Sequence, residues 1–271
     1  MELEVLVATM GQTDLSLVEK MNLCQNAVIA NQCGKWDFTR TQINGKQVQM
    51  LSTDTRGVGI NRNLALQLAQ ADILLFADDD VTYYDGALQG VINAFRELPD
   101  ADVIFFSLDY TKDGEIFEQR RHKTKQLHTW NCLRYGAARM AIRREAVIRH
   151  RLTFSTLFGG GCQYSSGEDT LFILDALRAG LKLYASEYVI GKCAKDSSSW
   201  FSGYHEKYFY DRGALVACAF PKTKHLMKWY FAWKTGKKAR ISFRKALRMM
   251  NPGIRGFRTL TAWQAKGETE K

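Results

Sequence analysis

Apolar and polar positions follow two alternating rhythms over the first 110 residues. Glu4-Val5-Leu6-Val7-Ala8-Thr9 is a short apolar run that predicts a first strand, ending in a loop over Met10-Gly11-Gln12-Thr13-Asp14. The pattern then predicts a helix over 15–23, strands over 26–31 and 48–52, and a helix over 60–70. Ile73-Leu74-Leu75-Phe76-Ala77 is apolar throughout and is closed by Asp78-Asp79-Asp80, which fits a strand buried on both faces of a parallel sheet. A helix over 86–97 and a strand over 102–107 complete the series. Strands and helices alternating through short loops predict an α/β domain with a mostly parallel sheet.

Past Tyr110 the rhythm changes. Residues 112–126 are polar and highly charged and predict a loop or excursion. Gly159-Gly160-Gly161 precedes Ser166-Gly167-Glu168-Asp169, a helix is expected over 170–179 with Gly180 as its cap, and residues 181–184 predict another strand. There is no internal repeat or low-complexity tract. The boundary suggested by composition lies near Pro221, giving an α/β domain over 1–220 and a basic, aromatic-rich helical extension over 221–271.

With 271 residues, 46% of them hydrophobic and 24% charged, the chain fits one large domain with an appendage. No apolar stretch reaches the ~18 residues needed to span a bilayer. The acidic start, Met1-Glu2-Leu3-Glu4, does not suit the positive leading region of a signal peptide. Six scattered cysteines with no Cys-x-x-Cys pair are expected to be reduced thiols of a cytosolic protein, with no zinc site. The net charge of +10 is unevenly placed: residues 1–110 hold 15 acids and 7 bases, residues 111–271 hold 13 and 31. Between Asp211 and Glu268 there is no acid and there are 14 Lys or Arg. The two ends are expected to face different partners.

Three carboxylates at a strand's carboxyl end, where ligands of such sheets bind, repel one another unless a cation neutralises them. Mg²⁺ or Mn²⁺ would suit, because both prefer oxygen ligands and share them with phosphates. An acidic turn is the plain alternative. Asp78 and Asp80 point to one side of the strand, so one could hold the metal and the other the sugar hydroxyls or metal-bound water of a nucleotide. Arg56-Gly57-Val58-Gly59-Ile60-Asn61-Arg62-Asn63 is a glycine-bearing helix entry suited to phosphate, with Arg62 and Asn63 adding charge and hydrogen bonds, or a simple helix start with a solvated arginine. Glu168-Asp169, at a loop-to-helix junction, is either a general base or an N-cap pair.

Together these features resemble the family 2 glycosyltransferases of the GT-A fold, the inverting, nucleotide-sugar-dependent type. The resemblance covers residues 3–190. It rests on the first strand, the stretch from Gly57 to Asn63, Leu75-Phe76-Ala77-Asp78-Asp79-Asp80, Arg143-Arg144-Glu145-Ala146 and Gly167-Glu168-Asp169-Thr170. It implies a Rossmann-like, mostly parallel sheet flanked by helices. It also implies metal ligation by Asp80 and Asp78, with Asp169 as the catalytic base and Glu168 beside it. The donor, a nucleoside diphosphate sugar such as a UDP-sugar, would be met by Thr9, Asn31, Arg62, Asn63, Asp78, Asp79 and Ser198. Asn31-Gln32 stands where the family usually has acids, and Asn61 replaces the usual alanine before Arg62. His205 is the one candidate for the further histidine ligand of some members. In the loop Ser197-Ser198-Ser199-Trp200-Phe201, hydroxyls and Lys195 or Lys207 could close over the diphosphate, or the loop is a plain surface loop pinned by Trp200.

In the basic tail, Leu226, Trp229, Tyr230 and Trp233 fall on one helical face, Phe243, Leu247 and Met250 on another, and Arg240, Arg244 and Arg248 recur every four residues. Anionic membrane contact, packing onto the core and nucleic-acid binding all stand open for it, although no nucleic-acid motif accompanies the charge. By resemblance the expected activity is transfer of a sugar to a lipid-linked glycan of a bacterial surface polysaccharide, at the inner face of the cell membrane. One rival is a haloacid dehalogenase-type phosphatase, since Asp78-x-Asp80-x-Thr82 fits its nucleophile motif. Another is a non-catalytic basic adaptor.

Overall fold

The computed structural model describes residues 1–112, 115–119, 123–194 and 203–259, and the side chains of Gln119 and Arg258 are outside the description. The chain divides into two compact units, Met1–Ser155 with Asp169–Ser198, and Thr156–Glu168 with Ser199–Lys271.

The first unit is built on one large sheet. Its early strands are β1 (Leu3–Met10), β2 (Asn26–Gln32), β3 (Asp37–Ile43), β4 (Lys46–Thr53), β5 (Ile73–Asp78) and β6 (Val81–Tyr83). Its later strands are β7 (Val103–Lys112), β8 (Glu115–Gln119), β9 (Lys125–Leu127), β10 (Met140–Arg143) and β11 (Leu183–Ala194). They lie in the order β3-β4-β2-β1-β5-β10-β7-β11-β6, with β8 on β7 and β9 on β11. The run β4-β2-β1-β5 is parallel, as its continuous apolar segments predict. The reversed strand β10 separates it from the parallel pair β7 and β11. Helices α1 (Leu17–Lys20), α2 (Val58–Leu68), α3 (Ala87–Glu97), α4 (Arg144–His150) and α5 (Glu168–Arg178) connect the strands. One apolar cluster runs from Val5, Val7 and Ile29 through Leu75 to Val91, Phe95 and Phe106.

Several elements differ from the sequence expectation. The helix expected over 15–23 is a single turn, α1. Strand β3 pairs with β4 through an Asn44-Gly45 turn whose φ values, 51° and 74°, are those of a tight hairpin. The charged excursion contains β8 and β9, and the strand expected over 181–184 continues to Ala194 across two irregular steps.

In the second unit, α6 (Glu206–Ala219), α7 (Lys224–Lys238) and α8 (Phe243–Thr259) pack together. The boundary expected at Pro221 would cut between α6 and the two helices it packs with. Helices α6 and α8 meet at glycines: a Cβ on Gly213 would run into the Met250 carbonyl oxygen, and one on Gly253 into that of Tyr210. No described helix is long and apolar enough to cross a membrane.

Candidate active site

The three acids that follow β5 go in three directions. Asp78 pairs with the Arg62 guanidinium of α2 at 2.8 Å. Asp79 accepts a short hydrogen bond from the hydroxyl of Thr9 on neighbouring β1, and Gln12 Nε2 donates to that hydroxyl at 3.0 Å. Asp80 meets the Cys193 thiol of β11 at 3.4 Å, while its carbonyl accepts from the Ala194 amide. As a residue Asp80 is exposed, yet protein atoms close in on its carboxyl. That partial burial, followed by the charge of Asp78, pushes its pKa up to about 6 against the opposing Cys193 bond.

Helix α5, whose first turn carries Asp169, is joined to β5 through aromatic packing. Phe154 and Phe172 stack with centroids 4.3 Å apart, and both meet Phe76 edge-on at 5.1 and 6.0 Å. Phe76 and Asp78 share a face of β5, because alternate strand residues do. Phe172 lies three residues, about one helical turn, after Asp169. Arg62 closes the arrangement, its guanidinium 5.4 Å from the Phe154 ring centroid while it holds Asp78. Asp169 Oδ1 accepts from the Thr170 amide at 2.7 Å, as a helix-start acid does, and its Oδ2 lies 3.2 Å from where a Cβ on Gly136 would be. Glu168 is buried, and its Oε2 accepts from the Gly167 amide at 3.1 Å.

Of the residues expected to meet the donor, Asn31 and Asn63 are engaged with the chain's own backbone. Asn31 is fully buried; its Oδ1 accepts from the Gln12 amide, and its Nδ2 donates to the Gln12 carbonyl and to Ser52 Oγ. Asn63 makes the same two-point clasp on the backbone of Phe154, at 2.9 and 2.7 Å. Gln32 makes a third on Gly57, at 3.2 and 3.3 Å. A carboxamide presents one donor and one acceptor side by side, like a peptide group, so it can staple a loop to a strand end. The close approach permitted by Gly59 is to the protein's own Ser155 carbonyl, whose oxygen leaves no room for a Cβ there. Arg62 is buried and engaged with Asp78. Ser198, with Lys195 and the rest of its loop through Phe201, lies outside the described residues. Lys207 donates to Asp211 and to the Gln163 carbonyl, and His205 caps α6 by accepting from the Tyr208 amide.

Residues 34–158 match the sequence family described as Glycosyl transferase family 2. The matched segment is just under half of this chain. The chain's fold is GT-A, and solved structures share it. S. aureus TarS 1-349 in complex with UDP-GlcNAc is 15% identical with a TM-score of 0.64, over 96% of this chain and 90% of that one. The same protein in complex with UDP is 16% identical with a TM-score of 0.61 over the same shares. A further S. aureus TarS structure aligns with a TM-score of 0.60, and this chain covers 55% of it. No curated protein matches the sequence.

The carboxylate oxygens at the end of β5 are chemically suited to a hard divalent cation. Burial, followed by the charge of Asp78, already disfavours the charged form of Asp80, which a bound cation would offset. Among the described residues no group of three or more His, Cys, Asp or Glu is arranged to hold a metal ion, so a substrate would have to complete the coordination. Thr82, the third member of the phosphatase-like motif, points its hydroxyl at the Lys20 carbonyl. Sequence reasoning missed Gln12, Gln32 and Cys193, which hold the acids and their loops. The signal available for Cys193 was its place near the end of a strand parallel to β7.

The apolar stripe of α7 is open. Leu226, Trp229 and Trp233 are 65%, 58% and 60% exposed and Tyr230 is exposed as well, while Met227, Phe231, Ala232 and Thr235 on the other side are buried. Helix α7 therefore has one apolar face packed and a second one bare.

Proposed function

We propose that the protein is an inverting, metal-dependent glycosyltransferase that moves a sugar from a UDP-sugar to a hydroxyl of a lipid-linked glycan. The observation that supports this is the Phe76–Phe154–Phe172 cluster, which packs a ring two residues before Asp78 against one three residues after Asp169. The acceptor oxygen bonds to the anomeric carbon as the bond to the diphosphate oxygen breaks. Asp169 takes the hydroxyl proton, with Glu168 bracing the same turn, and UDP leaves from the opposite face. Mn²⁺ or Mg²⁺ held by Asp80 and Asp78 would offset the charge of the departing diphosphate. Thr9 fixes Asp79 and Arg62 fixes Asp78 so that neither swings when the donor arrives. Asn31 and Asn63 act one step back, by setting the loops that border the donor. The UDP complexes of TarS support uridine as the nucleotide.

The bare face of α7 supports a peripheral position on an anionic membrane, where a lipid-linked acceptor of surface polysaccharide synthesis would be found. Trp and Tyr suit the headgroup region, and the acid-free interval supplies cations around them. Nucleic acid is not an expected partner.

The test is calorimetry with UDP and Mn²⁺, followed by a panel of UDP-sugars scored for thermal stabilisation. Metal-dependent binding that EDTA abolishes and Asp80→Ala removes is expected. Binding that survives both, or release of phosphate from a phosphomonoester, would overturn the reading.

A further inference from the structure

The loop that delivers Glu168, and Asp169 one peptide bond later, is fastened by a buried carboxylate that lies far on in the sequence. Asp211, on α6, is 1% exposed. Its Oδ2 accepts three hydrogen bonds: from the Ser165 amide at 3.0 Å, the Ser165 hydroxyl at 2.7 Å and Lys207 Nζ at 2.7 Å. Lys207 also donates to the Gln163 carbonyl at 3.1 Å, so one ion pair grips the loop at two residues. The other oxygen, Oδ1, is buried with no hydrogen-bond partner among the described residues. Burying a charge at that cost is unusual unless the bonds it makes matter.

The rest of the loop is shaped around this grip. Residues 157–164 fold back on themselves through Gly159 N to Tyr164 O at 2.8 Å and Tyr164 N to Leu157 O at 2.9 Å, and the Phe158 and Tyr164 rings stack at 4.6 Å. Tyr164 in turn stacks on Tyr210, the neighbour of Asp211. Gly167 has φ +125°, and a Cβ there would stand 2.6 Å from Leu215, one turn along α6. Such backbone is strained for any residue with a Cβ, so the last step before Glu168 leaves little slack.

We infer that Asp211 is a positioning residue for the glycosyl transfer: with Lys207 it holds Ser165 and Gln163, and so sets where α5 begins and where its first acids stand. This rests on Asp169 being the general base. A base must lie within hydrogen-bond reach of the proton it takes, and small misplacements are costly in rate, while nothing in the Asp211 grip touches the donor.

Asp211→Asn keeps the shape and loses the charge. It is expected to lower kcat roughly 10- to 100-fold while KM for the UDP-sugar stays within about twofold. In an Asp169→Asn background the same change should cost nothing further, because a misplaced base cannot matter once the base is gone. A purely structural role would multiply the two losses, and that result, or an unchanged kcat, overturns the inference. Should Asp211→Asn fail to fold, Ser165→Ala removes one of the three bonds and is expected to lower kcat several-fold at constant KM; an unaltered kcat there overturns the inference equally. If Asp169→Asn itself leaves turnover intact, the base assignment has failed instead, which separates the two ideas.

Discussion

At the carboxyl end of β5 each acid has a polar neighbour that aims it, and Asn31, Gln32 and Asn63 spend their amides on backbone that passes nearby. In the helical unit α6 and α8 meet through Gly213 and Gly253, and the polar grip is concentrated in Asp211. Hydrogen bonds are directional and fix a position to a few tenths of an ångström, whereas glycine contacts and stacked rings fix only a distance of approach. The first unit has the means to place reacting atoms. The second has the means to keep helices close and to leave α7 free to show an aromatic face outward.

If that contrast holds, changing a single atom at the strand end should cost more than changing a whole ring on α7. Asp169→Asn should reduce turnover ~10²–10⁴-fold with donor affinity kept, read by steady-state kinetics beside calorimetry. A collapse of donor affinity would make Asp169 a donor ligand or a structural cap. On the other side, Trp229→Ala with Trp233→Ala should leave the melting temperature unchanged, because both rings are exposed, yet weaken cosedimentation with anionic vesicles about tenfold or more. A drop in thermal stability instead would mean that the stripe is packed in solution.

The glycine crossing can be stressed directly. Gly253→Ala should cost ~1–3 kcal/mol in chemical denaturation, since the added methyl meets the Tyr210 carbonyl. No loss would mean that α6 and α8 can slide apart freely. The same contact bears on removing the tail: truncation after Phe220 takes away α8 and bares the glycine face of α6, so the shortened chain should be less stable than the whole. The smallest effect concerns Asp80. Its pKa is raised by folding, so its contribution to stability is present below the ordinary carboxylate range and is lost as pH rises through about 6. Without ligand, Asp80→Asn should therefore raise the melting temperature slightly at pH 8 and not at pH 4, an effect kept small by solvent around an exposed group. Equal shifts at both pH values would remove the charge explanation.

The sequence made the parallel core and the acid cluster legible because a strand buried on both faces has no polar position until it ends. It made α5 and its Gly180 cap legible for a similar reason: one apolar face, one stop signal. Strand β3 was missed although Asn44-Gly45 marks its turn, because an edge strand reading Asp-Phe-Thr-Arg-Thr-Gln-Ile has no buried face to write a pattern. Helix α6 was missed because small and aromatic residues bury most of its circumference, which erases the periodicity. The asparagines could not be assigned from sequence: an amide offers the same donor and acceptor to a ligand as to a backbone, and burial decides between them. Asp211 carried no local signal, since its partner Ser165 lies 46 positions earlier in the chain.

The sulfur of Cys193 lies 3.4 Å from the carboxylate of Asp80, and the residue is partly open to solvent. That neighbourhood gives the strand end a chemical address. A small thiol-directed reagent attached there would plant its bulk against the acid, and a ligand resting on Asp80 would shield the sulfur from it. The rate of labelling thus becomes a gauge of occupancy that needs neither an acceptor nor a turnover, and mass spectrometry can tell it apart from labelling at the other five cysteines.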